Sequence, residues 1–190
     1  MPEIPFVPML SAAEAKVLCH TYDVDKDFWF EVAGRSILNG DCSRSHFDTI
    51  FAWKTRNRGK SRPEKNESGA IEQALRVVVE EVDRPRRSIG TLIKLSGVGI
   101  PVASAIMAAI FPEQFTIIDF RALDALSAED YSTTSVKKYL DYVEYCTKLA
   151  DDWDMSLREL DRALWKWSEK CGARLLEPIS GRPVTEAKRI

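Results

Sequence analysis

Apolar positions recur at intervals of three and four along most of the chain, the period of helices that bury one face. Ser11-Ala12-Ala13-Glu14 has the form of a capping box and predicts a helix over 11–21. A second helix is expected over 25–38, closed by Asn39-Gly40, and a third over 43–56 with Phe47, Ile50, Phe51 and Trp53 as its apolar set. The stretch 58–69 is polar, contains Gly and Pro, and reads as a loop. Ile71, Leu75, Val78, Val79 and Val82 share one face of a helix over 70–82. Val136, Tyr139, Leu140, Val143 and Ala150 do the same over 135–151. A second capping box, Ser156-Leu157-Arg158-Glu159, opens a last helix striped by Leu157, Leu160, Leu164, Trp167 and Cys171, with Gly172 as its expected stop. Trp165 and Trp167 are expected to pack that helix against the body. No strand ladder and no internal repeat is visible, so the fold class is all-α.

The densest information lies between residues 88 and 126. Ile89, Leu92, Ile93 and Leu95 mark a helical face that runs into Leu95-Ser96-Gly97-Val98-Gly99. Two glycines around one small apolar residue allow a sharp turn and a close backbone approach. Pro101 suits the first turn of the next helix, where its missing N–H costs nothing. The run 102–110 is apolar and rich in alanine, as a closely packed buried helix requires. Pro112 ends it, Phe115-Thr116-Ile117-Ile118 reads as a short extended run, and Asp119 falls where an N-cap opens a further helix. Free N–H groups at such a hairpin suit an anion, a phosphodiester above all.

These residues resemble the helix-hairpin-helix DNA glycosylases, whose hairpin typically reads Leu-Pro-Gly-Val-Gly and is followed by an essential Asp. Here Ser96 replaces the proline. Family members with lyase activity carry a lysine two positions after the second glycine, where this chain has Pro101, and the family's Asp follows at about the eighteen-residue separation found between Pro101 and Asp119. The resemblance covers residues 89–126. It implies two helical lobes with a cleft between them: 1–40 plus 119–178 as a terminal lobe, 41–118 as a central lobe holding the hairpin motif (88–111), and 179–190 as a polar tail. It also implies Asp119 as the catalytic carboxylate. Lys94, Ser96, Gly97, Val98 and Gly99 would then grip the DNA backbone, with double-stranded DNA as partner to a monomer. No metal or other cofactor is expected, apart from a monovalent cation on the hairpin's backbone carbonyls.

Charge sharpens this picture. The net charge is only −2, but Lys54, Arg56, Arg58, Lys60, Arg62 and Lys65 fall within twelve residues against one acid, Glu64. Arg84, Arg86, Arg87 and Lys94 lead into the hairpin, and acids gather elsewhere, as at Asp151, Asp152 and Asp154. A polarised surface of this kind suits a phosphate backbone. Lys54, Arg56, Arg58 and Arg121 are the candidate phosphate contacts; a merely solvated charge run is the alternative. The four cysteines, Cys19, Cys42, Cys146 and Cys171, have no metal-site spacing and read as reduced and mostly buried. No apolar run reaches membrane-spanning length and no secretory signal is visible, so a cytoplasmic protein is expected, nucleoid-associated in a bacterium.

A carboxylate beside a deoxyribose stabilises the cationic transition state of base loss and orients the attacking water. The base must first leave the stack. Trp53, Trp29 and Phe28, with Phe30 beside them, are the candidates for a base pocket or wedge, against the competing reading of plain core aromatics. Pro101 supplies no amine for a Schiff base, so the expected enzyme is a monofunctional hydrolase that leaves an abasic site. Repair of damaged bases and excision of modified bases from foreign DNA both stay open. So do two other classes: a DNA-binding module without chemistry, and an interaction protein that uses the hairpin only for packing.

Overall fold

A computed structural model describes residues 5–58 and 62–175, with side chains through Cys171. The expected basic residue Lys60 and the tail 179–190 lie outside the described residues. Every regular element described is helical. The α-helices are α1 (Ala12–His20), α2 (Phe28–Leu38), α3 (Arg44–Thr55), α4 (Ser68–Glu80), α5 (Pro85–Leu92), α6 (Ile100–Ile110), α7 (Phe120–Ala125), α8 (Val136–Trp153) and α9 (Leu157–Leu175). Short 3-10 turns cover Val24–Asp27 and Pro63–Lys65. No described helix is long and apolar enough to cross a membrane.

The caps form as the sequence predicts. Ser11 and Glu14 satisfy each other's backbone N–H groups, and Ser156 and Glu159 repeat the arrangement at α9. Gly40, at φ +98°, terminates the second helical segment. Two expectations need correction. The stretch 58–69 is not all loop, because Pro63 starts a 3-10 turn and α4 already begins at Ser68. Gly172 does not stop the last helix, which continues to Leu175; a helical glycine is tolerated where the flanking turns hold.

One continuous apolar core runs from Phe6 to Leu164. α6 lies at its middle: apart from Pro101, every residue of the helix is buried. It packs on α2, α3, α5 and α8. Its small side chains let neighbours come close. A Cβ at Gly34 of α2 would lie 1.8 Å from the Ala109 carbonyl oxygen, so that helix crossing exists only because Gly34 has no side chain. α2, expected in the terminal lobe, therefore rests on the central helices α3 and α6, whereas α1 and α7 rest on α9.

The segment 115–118 crosses this core without a strand partner. Three of its backbone polar groups bond to side chains instead: Ser104 Oγ accepts from Ile118 N–H at 3.2 Å, Tyr139 Oη donates to Thr116 O at 2.9 Å, and Tyr142 Oη donates to Ile117 O at 3.1 Å. These bonds deliver Asp119 to the surface of the core at a set position.

Gly34→Ala should lower stability by about 3 kcal/mol, because a backbone clash in a packed core is not relieved by side-chain rotation. For a chain of this size that is a fall in Tm of roughly 6–12 °C, measurable by thermal melting; an unchanged Tm would mean that α2 and α6 can separate freely.

Candidate functional site: a carboxylate–lysine pair in a cationic cleft

Asp119 caps α7, its Oδ1 accepting from the Arg121 and Ala122 N–H groups at 3.0 and 3.1 Å. That much is what any N-cap Asp does. Its other oxygen does more. Oδ2 accepts from Lys54 Nζ of α3 at 2.8 Å, with side-chain exposures of 25% for Asp119 and 10% for Lys54. Lys54, a candidate phosphate contact by sequence, is here the partner of the candidate acid; α3, which carries it, packs on α6, whose Ser104 holds the 115–118 segment. Burial by itself would raise the Asp119 carboxyl. The Lys54 charge and hydrogen bond, with the two backbone N–H groups, outweigh it and hold the group ionised below its usual 3.8.

The pair lines a cleft of about 740 Å³. Its walls include Arg56, Arg58, Phe120, Arg121, Asp161 and Trp165. Arg56 is held there by an unusual backbone: both Arg56 and Asn57 adopt left-handed conformations, φ +51° and +60°, where α3 ends. Trp165 carries the Arg121 guanidinium 5.0 Å and the Arg56 guanidinium 5.7 Å from its ring centre, and Tyr22 meets it edge-on at 5.7 Å. Trp165 is therefore a wall of the cleft and not only a packing residue, whereas Trp167 does pack against the core. Asp161 is the second carboxyl of the cleft. Burial pushes it up to about 6, with its ion-pair partner Arg158 opposing the rise and Asp119 adding to it.

Behind the cleft lies a node that the sequence did not reveal. Asp27 has no exposed surface. It accepts from Tyr22 Oη at 2.9 Å, from Trp53 Nε1 at 3.2 Å and from Arg162 Nε at 3.0 Å, and it pairs with Arg158 at 2.7 Å. Trp53 is thus pinned: its ring lies tilted against buried Phe30, centroids 4.1 Å apart, and its N–H also reaches Lys26 O at 3.1 Å. It lines the cleft as a fixed wall and has no freedom to act as a wedge. Phe28 and Trp29 do not line the cleft. They form an edge-to-face pair at 5.0 Å on the outside of α2, 54% and 69% exposed.

The hairpin residues Ser96, Gly97, Val98 and Gly99, and Lys94 before them, also lie outside the cleft lining. Gly97 turns at φ +84°, and a Cβ there would lie 2.8 Å from the Arg62 Cβ. Asn66 clamps the turn, its Oδ1 accepting from Ser96 N–H at 2.7 Å and its Nδ2 donating to Ser96 O at 3.0 Å. Val98 N–H bonds to Leu95 O. Two of the four amides expected to face an anion are therefore already spent inside the protein; among the described residues, those of Gly97 and Gly99 are not. The Ser96 carbonyl is likewise taken by Asn66 and the Gly99 carbonyl by the first turn of α6. Among the described residues no group of three or more His, Cys, Asp or Glu is placed to hold a metal ion.

Comparison with known proteins finds no matching family model, no similar curated protein and no similar solved structure. The observations themselves define the class: an all-helical protein whose cleft presents an ionised carboxylate, a paired lysine, arginines and aromatic rings.

Two outcomes follow. Asp27→Ala leaves Arg158 with Asp161 alone and Arg162 with Glu31 alone, removes the acceptor of Tyr22 Oη, and should cost about 2–4 kcal/mol in urea unfolding; a loss below about 1 kcal/mol would show that the node is not structural. Because Asp119 is held below its unfolded value, the stability it contributes is complete above about pH 4 and lost as pH falls through the lower folded value. Between pH 6 and pH 3 the parent should therefore lose more stability than Asp119→Asn, and equal losses would mean that the Lys54 pair contributes nothing.

Proposed function

We propose that this protein is a monofunctional DNA glycosylase with a two-lobed helix-hairpin-helix architecture, which takes a base out of duplex DNA and releases it by water attack. The observation that carries the proposal is the Asp119 carboxylate: capped, ionised and paired with Lys54 on the wall of a cleft large enough for a base. A helix cap by itself needs no cleft and no lysine. In this reading the carboxylate faces the deoxyribose of the extruded nucleotide, stabilises positive charge as the C1′–N bond lengthens, and takes the proton of the incoming water. Lys54 keeps Asp119 ionised and aimed. Its Nζ is already engaged by Asp119, and Pro101 stands where the resembled family places its lysine nucleophile. Arg56 and Arg58 at the cleft mouth, with the Gly97 and Gly99 amides, suit the phosphates on either side of the distorted nucleotide.

A second reading is favoured by one observation: both Asp119 oxygens already have protein partners. On that reading Asp119 is structural, and the chain binds DNA without acting on it.

The two readings part in one experiment. Duplexes carrying uracil, oxidised, alkylated or phage-type modified bases are incubated with the parent and with Asp119→Asn, which keeps the cap, and abasic sites are then cut with alkali. The glycosylase reading expects alkali-dependent cleavage that falls by about 10²–10⁴-fold in the Asn variant, with duplex binding changed less than about threefold. Binding without any cleavage by the parent establishes the second reading. Cleavage without alkali, with borohydride trapping at Lys54, would replace the hydrolytic mechanism by a Schiff-base one.

A further inference from the structure

The carboxylates of the cleft are already matched. Asp119 pairs with Lys54, Asp161 with Arg158 and Glu169 with Lys166. Arg56 and Arg121 make no ion pair and no side-chain hydrogen bond among the described residues, and Arg58 donates only to the Thr55 carbonyl. The cleft therefore holds an excess of positive charge. Arg121 is the more telling of these. Its Nε is buried and has no acceptor among the described residues, although buried donors are nearly always satisfied. It is no loosely solvated side chain, since its guanidinium lies over Trp165 and 5.3 Å from the ring centre of Phe120. Phe120 is itself 71% exposed on the cleft wall. Arg121 is also tied to the reacting carboxylate, because its own backbone N–H is one of the two that cap Asp119.

We infer that Arg121, backed by Trp165, is the donor that reads the extruded base, and that the base it accepts is neutral and carbonyl-bearing, such as uracil, hypoxanthine or 8-oxoguanine, and not a cationic N-alkylated purine. The inference rests on the glycosylase reading and narrows it. The chemistry supports it in two ways. A guanidinium N–H needs an acceptor, and a base carbonyl supplies one: O2 or O4 of uracil, O6 of hypoxanthine, O6 or O8 of 8-oxoguanine. The leaving group also matters. When the C1′–N bond of a neutral base breaks, the electron pair stays on the base nitrogen and the base departs as an anion, later protonated from solvent, while water oxygen bonds to C1′ and gives its proton to Asp119. Unpaired guanidinium charge stabilises that anion as it forms. An N-alkylated purine is positively charged before cleavage and leaves neutral, so the same arginines oppose its binding and do nothing for its departure.

The test is single-turnover base release by the full chain from duplexes with uracil, hypoxanthine, 8-oxoguanine or 7-methylguanine, comparing the parent with Arg121→Gln, Trp165→Leu and Trp165→Phe. Fluorescence anisotropy on the same duplexes reads binding at several salt concentrations. The expected result is release of at least one neutral base, with 7-methylguanine lost no faster than spontaneously. Arg121→Gln should slow release about 10–100-fold, the scale of a lost charge-assisted hydrogen bond, with binding within about threefold of the parent. Trp165→Leu should share the loss and Trp165→Phe should recover part of it. Preferential release of 7-methylguanine overturns the inference and leaves the glycosylase reading standing. Uniformly weaker binding by Arg121→Gln, with the salt slope reduced by about one and the release rate unchanged, makes Arg121 a phosphate contact and overturns it as well. Release of no base from any duplex overturns the inference together with the glycosylase reading on which it rests.

Discussion

The cleft depends on one buried anion. Asp27, at the end of the 3-10 turn before α2, is fully enclosed and joins Tyr22, Trp53 of α3, and Arg158 and Arg162 of α9. These residues come from three separate parts of the chain. α3 carries Lys54 one residue beyond Trp53, and α9 carries Asp161 and Trp165 within two turns of Arg158. A charge buried without partners is costly, and a charge buried with several hydrogen-bonded partners permits very few arrangements. The two sides of the cleft are thereby held in register by a group that does not itself line it.

Electrostatics then separates two of the acids that do line it, Asp119 and Asp161. Asp119 sits where backbone N–H groups and Lys54 converge, and it stays ionised. Asp161 is carried upward by burial despite Arg158, and the Asp119 charge pushes in the same direction. Two chemically identical groups in one cleft are thus given different proton affinities by their surroundings, an arrangement that recurs where acid and base chemistry share a site. In the proposed reaction the ionised member is the one beside the sugar.

The hairpin has a structural side that its glycines alone do not convey. Asn66 occupies both backbone polar groups of Ser96, and Gly97 has no room for a side chain against Arg62. The segment after α3 is consequently packed onto the hairpin, which links the basic stretch to the turn expected to hold a phosphate backbone. α6, which follows the hairpin, is buried along its length and passes the constraint to the 115–118 segment through Ser104. The hairpin and Asp119 are mechanically connected even though they do not share the cleft.

Local chemistry in the sequence determined the helical class, both capping boxes, the glycine turn at Gly97 and the position of Asp119 as an N-cap, because each depends on residues within about four positions of one another. It also made Lys54, Arg56 and Arg58 legible as a basic cluster, but not the pairing of Lys54 with Asp119, the place of Trp165 in the cleft wall as well as in packing, or the roles of Asp161 and Asp27. The reason is the same in each case. Lys54 meets Asp119 across 65 positions and Arg162 meets Asp27 across 135, and no periodicity or spacing rule reaches that far. Whether a lysine faces a phosphate or a carboxylate, and whether a tryptophan lines a cleft or fills a core, is decided by which helix faces pack together. Here that packing follows from the close crossing at Gly34 and from the need to surround one buried aspartate with donors.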